Sequence, residues 1–183
     1  MLVIERGLDG RAFSNAKIVP PHPLPCVSRR ALKRVRDRVA IPTLCRYCGG
    51  SITLANNAEV YEGRSFGEWP YVYLCTVCRA YVGLHPFTDL PLGLLADCDL
   101  RDLRRAAKIP FSALVEHKFG KDRTLAYKWL SFKMAIPVAE CHFGMMDYDR
   151  ASQALEVCFT EQLEGDVNLI EVTKKLIEND MLL

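Results

Sequence analysis

Four cysteines are spaced for metal chemistry. Cys45-Arg46-Tyr47-Cys48 and Cys75-Thr76-Val77-Cys78 are two CxxC pairs with residues 49–74 between them. Each pair can offer two sulfurs to one ion from a tight turn, and two such turns complete a tetrahedral set. Gly49 and Gly50 follow the first pair directly, where a backbone folding over sulfur needs positive φ and presents N–H groups to the thiolates. Four thiolates at about 2.3 Å leave no position for a reacting water, so the ion is expected to hold structure and to perform no catalysis. Zinc is the expected occupant. Iron also suits soft thiolates, and oxidation to disulfides is a further alternative. Aliphatic residues are few in this stretch, so metal binding has to supply folding free energy that a small core cannot.

No other constellation reaches that specificity. His85, Cys98, Cys141, His142 and Cys158 lack ligand spacing: Cys141 and His142 are adjacent, and Cys98 and Cys158 fall on expected helices, where small apolar side chains are commonly buried. A nucleophilic Cys141 with His85, His117 or His142 has no supporting motif. Paired carboxylates, a phosphate-cradling glycine loop and an open metal position are all missing, so an enzyme is not expected.

The elements that position the cysteines belong to an ordinary globular chain. The 183 residues are 50% hydrophobic and 25% charged, which excludes a large multidomain enzyme and a disordered or collagenous chain. The opening MLVIERGLDGR is too short in apolar residues for a signal core, and no uncharged apolar run approaches membrane-spanning length. A soluble, cytoplasmic protein with reduced thiols is the expectation, without a membrane partner. Charge is unevenly spread: residues 1–146 carry 21 Lys/Arg against 13 Asp/Glu (+8), and residues 147–183 carry 3 against 9 (−6).

Pro20-Pro21-His22-Pro23-Leu24-Pro25 imposes an extended link. Ser28 is a candidate N-cap for a basic amphipathic helix through SRRALKRVRDRVAI, with Leu32, Val35 and Val39 inward and Pro42 ending it. Short strands are expected over 45–83, including one in which Trp69, Tyr71 and Tyr73 share a face and run into Cys75. Beyond Gly83 the period becomes helical. Asp97 or Asp99 caps one helix, Pro110 opens a second ending at Gly120, and Asp122 caps a third with Leu125, Trp129, Phe132 and Ile136 as its stripe. A fourth carries Ala151, Leu155, Cys158 and Phe159, and an acidic helix follows Gly165. The expected fold class is α+β, divided into a basic arm (1–44), a zinc ribbon (45–83), a helical domain (84–164) and the acidic helix (165–183).

Arg29, Arg30, Lys33, Arg34, Arg36 and Arg38 concentrate six cations in ten residues, opposed by Asp37 alone, which suits a polyanion. Near the cysteines, Trp69, Tyr71 and Tyr73 can stack on unpaired bases while Arg46, Arg64 and Arg79 hold phosphates. Each ring has the alternative role of replacing a missing aliphatic core. The expected function is therefore non-catalytic nucleic-acid binding, DNA or RNA. The alternative is a protein-interaction module that docks on host machinery, a polymerase or defence complex, through the aromatic strand and the acidic helix.

The run CRYCGG, YVYLCTVCRAYVGLH, PLGLLADCDLRDLRRAA, AYKWLSF and IPVAECHFGMMD resembles the zinc-finger-containing domain family of bacteriophages and bacteria, over about residues 44–160. That resemblance implies a phage or prophage origin and zinc held at positions 45, 48, 75 and 78. Ala107 or Lys108 stands where relatives often have histidine, and Ala151 where they often have cysteine. The knuckle-and-strand pattern is also similar, over a shorter stretch, to the zinc ribbons of type I topoisomerases, which touch single-stranded DNA.

Overall fold

A computed structural model describes the backbone over residues 4–180, and the side chains within it except those of 4–6, 37 and 166–180. The fold class is α+β, and the chain forms two compact units, residues 1–101 and 102–183.

In the first unit, β1 (Ile4–Arg6) pairs antiparallel with β2 (Asp37–Val39), placing Ile4 opposite Val39. The expected basic helix over Ser28–Ile41 is not formed. Ser28 accepts from the Ala31 N–H, but α1 (Arg29–Leu32) is a single turn closed by Lys33. The chain then turns and becomes β2. Leu32 and Val35 are buried with Ala12 and Leu90, an arrangement that three-residue spacing permits in a turn as well as in a helix. Val39 is buried as a strand residue, and its pairing with β1 lies far away in sequence, beyond any local periodicity.

β3 (Ile52–Asn56), β4 (Tyr71–Cys75) and β5 (Tyr81–Gly83) form a three-stranded antiparallel sheet, with Ile52 opposite Cys75 and Tyr73 opposite Val82. Tyr73 and Cys75 join Cys45, Ile52, Ala80, Val82, Leu84 and Leu95 in one core, while Ala55, Val72 and Leu74 form another. A strand buried on both faces explains why β4 reads as nearly continuous apolar sequence.

The chain's own loops cover the aromatic face. Tyr73 is fully buried, its hydroxyl donates to the Asp89 carbonyl at 2.6 Å, and burial raises its pKa. Trp69 donates through Nε1 to the Thr88 carbonyl at 3.0 Å and packs on Tyr71 and Phe87. Below this face, Arg11 forks onto Asp89 (2.7 and 2.9 Å) and also onto Asp9, whose carboxylate Arg38 approaches at 3.6 Å.

The hydrogen bond from Arg11 holds the Asp9 carboxyl below its ordinary value of 3.8, against the opposing effect of burial. A carboxyl depressed in the folded state stabilises it above that ordinary value, and this contribution is lost as pH falls through the folded-state value. The stability gap between wild type and Asp9→Asn is therefore expected to narrow on acidification from about pH 6 to below about pH 4. Urea midpoints of both proteins across that range check it, thiolate protonation being common to the two. A gap that stays constant counts against the assignment.

The second unit is helical and begins within α2 (Cys98–His117). Asp97 caps it through Leu100 N–H at 2.9 Å. Pro110 lies inside α2 and does not start a new helix. Ala107, Phe111 and Leu114 bury one continuous face across it, which offsets the roughly 3 kcal/mol that an interior proline costs. Asp122 caps α3 (Arg123–Lys133) as expected, but the stripe is displaced: Ala126, Leu130 and Met134 are buried, whereas Leu125 is 49% and Phe132 81% exposed. Helix α4 (Tyr148–Asp180) continues through Gly165 and buries Ala151, Ala154 and Cys158. The acidic side chains expected beyond Gly165 lie outside the described residues. Arg104, itself buried, donates to the Met146 carbonyl and ties α2 to the segment preceding α4.

Candidate metal centre

The two CxxC turns are built alike. In the first, the Gly49 N–H donates to the Cys45 carbonyl (2.9 Å) and the Cys45 N–H to the Gly50 carbonyl (2.8 Å). In the second, Arg79 donates to Cys75 (3.2 Å) and Cys75 to Ala80 (2.8 Å). Gly49 and Arg79 occupy the equivalent left-handed position at φ 70° and 63°. The strain at a non-glycine residue there was not legible in the sequence, where glycine marks the first turn alone. Gly50 is needed for closeness rather than for φ: a Cβ there would meet Val77 Cγ2 at 2.7 Å and Cys75 Sγ at 3.2 Å.

Pairing of β3 with β4 brings these turns together, since Cys75 ends β4 opposite Ile52 and the Leu44–Ser51 bridge closes the first turn. The sulfurs of Cys45 and Cys78 are 3.4 Å apart, those of Cys48 and Cys75 3.5 Å, and all four ligand atoms lie within 4.8 Å of one another. A tetrahedron of sulfurs about 2.3 Å from a central ion has edges of about 3.8 Å, within this range. The separations exceed the roughly 2.05 Å of a disulfide, and all four cysteines are free thiols. The donor set fits a metal ion.

Electrostatics favours a cation at the centre. Burial opposes ionising Cys75, yet the backbone N–H groups of Cys78 and Val77 and the neighbouring thiols outweigh it and bring this thiol down to about 6. Cys78 receives the Ala80 N–H, but burial and its three sulfur neighbours push it up to about 12. Once one sulfur ionises, it opposes ionisation of the next, and a dication removes that conflict.

The family comparison points to the same stretch of chain. Residues 41–161 match the model of a zinc-finger-containing domain family, and all four cysteines lie inside the matched stretch. The chain belongs to that family. Neither the curated proteins nor the solved structures give a match. Family and cluster together identify a metal-binding module.

Among the described residues no other group of three or more His, Cys, Asp or Glu side chains could share an ion. Cys141 and Cys158 are buried thiols pushed up to about 11 and about 12, chiefly by burial, so they remain protonated as core residues. His85 is half-buried and its pKa is lowered by desolvation.

The expected nucleic-acid contacts scatter. Arg30, Lys33, Arg34 and Arg36 are exposed on α1 and the turn after it, as are Arg46, Arg64 and Arg79 elsewhere in the unit. Arg29 is engaged by the carbonyls of Ser14 and Ala16, and Arg38 by Asp9. Trp69 and Tyr71 are half-buried, and Tyr73 is inaccessible to a base. Periodicity placed these three rings on one face correctly, but gave no sign of the loop that covers it. Among the described residues no helix is long and apolar enough to cross a membrane.

Proposed function

We propose that this chain is a non-catalytic zinc module that binds nucleic acid chiefly through its phosphates. Zinc is the occupant best matched to four thiolates in tetrahedral array, and a closed coordination sphere leaves the ion a structural task. The observation that carries nucleic-acid binding is the exposure of Arg30, Lys33, Arg34 and Arg36 within residues 30–36, a density of cations that a polyanion relieves. Unlike Tyr73, these groups are accessible from solvent.

Replacing all four by alanine is expected to weaken binding to duplex DNA at low salt. It should also make the slope of log affinity against log salt shallower by up to about 3.6, at about 0.9 per phosphate contact. Fluorescence anisotropy over a salt series reads both quantities. An unchanged slope, or a wild-type protein that binds no nucleic acid at low salt, overturns the proposal.

A second reading is docking on another protein, and it draws on the exposed Leu125 and Phe132 of α3. It predicts a partner retained from lysate after nuclease digestion and lost in Phe132→Ser.

A further inference from the structure

The sheet carries a second group of rings, away from the covered aromatic face. After β3 a 3-10 turn (Asn57–Glu59) leads into a tight reversal with Glu62 at φ 53° and Gly63 at φ 83°. Tyr61 meets Phe66 edge-on at 5.3 Å and Tyr81 at 6.2 Å. Phe66 is 54% and Tyr61 41% exposed. Phe66 is nevertheless held in place: the buried Asn57 amide donates to its carbonyl at 2.8 Å and accepts from its N–H at 3.1 Å. A clamped backbone that presents an aromatic ring to water holds a binding element ready at low entropic cost.

Arginines lie in this turn, reach it, or pack on the neighbouring Tyr81. Arg79, from the second cysteine turn, reaches the Glu59 carbonyl at 2.6 Å, while the Arg101 guanidinium lies over the Tyr81 ring at 4.1 Å and is held there by the Ala96 carbonyl at 2.8 Å. Arg64 is exposed between Tyr61 and Phe66 in the chain. The same loop also carries three carboxylates, Glu59, Glu62 and Glu68, so any preference for phosphate rests on where the guanidiniums sit and not on net charge. Tyr61 and Phe66 meet edge-to-face, a contact that covers one face of only one of the two rings, and Phe66 is the more exposed of the pair. Apolar ring faces beside guanidinium groups match the alternation of base and phosphate in an unpaired strand, whereas a duplex hides its base faces.

We propose that Phe66 and Tyr61 stack on bases of single-stranded nucleic acid while the exposed Arg64 and Arg79 engage its phosphates. This inference rests on the nucleic-acid reading and adds the class of strand recognised. It also moves base stacking from Trp69, Tyr71 and Tyr73 to a different part of the sheet.

The test compares an oligothymidylate, an oligouridylate and a duplex of the same length, each bound by wild type, Phe66→Ala and Phe66→Leu at one salt concentration. Both variants are expected to lose roughly 5- to 150-fold in affinity for the unpaired strands, the range for one stacked base, with duplex affinity unchanged. Phe66→Leu keeps apolar bulk without a π-face, and metal content confirms folding of each protein. Phe66→Trp is expected to retain binding and to show fluorescence quenched by the unpaired strand. The DNA and RNA arms compare the two strand types, and an oligodeoxyuridylate added to them separates the effect of the sugar from that of the thymine methyl. Wild-type binding to unpaired strands that is unaffected by Phe66→Ala, or a loss shared equally with the duplex, overturns the stacking site and leaves the phosphate reading intact. Wild type that binds none of the probes overturns both and leaves the patch to a protein partner.

Discussion

Cys75→Ser is expected to abolish stoichiometric zinc binding and to unfold the sheet of the first unit. Structural zinc sites contribute on the order of 10 kcal/mol or more near neutral pH, as much as the whole stability of a small domain. Cys75 is the thiol least able to be spared: it is buried, ends the central strand, pairs with Ile52 and accepts two backbone N–H groups. Trp69 and Tyr73 should lose their ordered surroundings, seen in near-ultraviolet circular dichroism, and metal analysis should find less than one ion per chain. The second unit has its own core, including Ala107, Phe111, Leu114, Ala126, Leu130 and Met146, so much of the far-ultraviolet helical signal should persist. Full zinc content with an unchanged near-ultraviolet spectrum would sink the structural role of the ion.

The second large effect involves a group outside the metal centre. Arg11→Ala is expected to destabilise the first unit by about 3–5 kcal/mol, the cost of leaving a buried charge without its partner. The Asp89 carboxylate is 0% exposed and both its oxygens are held by Arg11, while Asp9 shares the same guanidinium. Arg11 itself is about one-third exposed, yet the damage falls on the carboxylates left behind. Arg11→Lys should lose less, because it keeps a charge but not the two-pronged geometry. Urea denaturation of the zinc-loaded proteins measures both. A shift for Arg11→Ala under about 1 kcal/mol would place this contact among ordinary surface ion pairs.

Neither Arg11 nor Asp89 stands out in the sequence. Their residue types are common on surfaces, and 77 residues separate them, so no local pattern joins them. The same reason accounts for β2. A helical reading of SRRALKRVRDRVAI satisfied Leu32, Val35 and Val39 equally well, and only the distant partner Ile4–Arg6 makes a strand of its second half. At α3, periodicity found the helix and its Asp122 cap but selected Leu125 and Phe132 over the buried Ala126 and Leu130. Large residues dominate an apolar stripe read from sequence, whereas close helix packing also admits small ones.

The sequence alone determined the metal cluster and the α+β class, because a CxxC turn and a helical stripe are each encoded within a few adjacent residues. The tertiary structure decided which arginines and rings reach solvent. Exposure depends on what other parts of the chain lay over a residue: the loop around Thr88 and Asp89 covers Tyr73, while Asn57 holds Phe66 where water meets it.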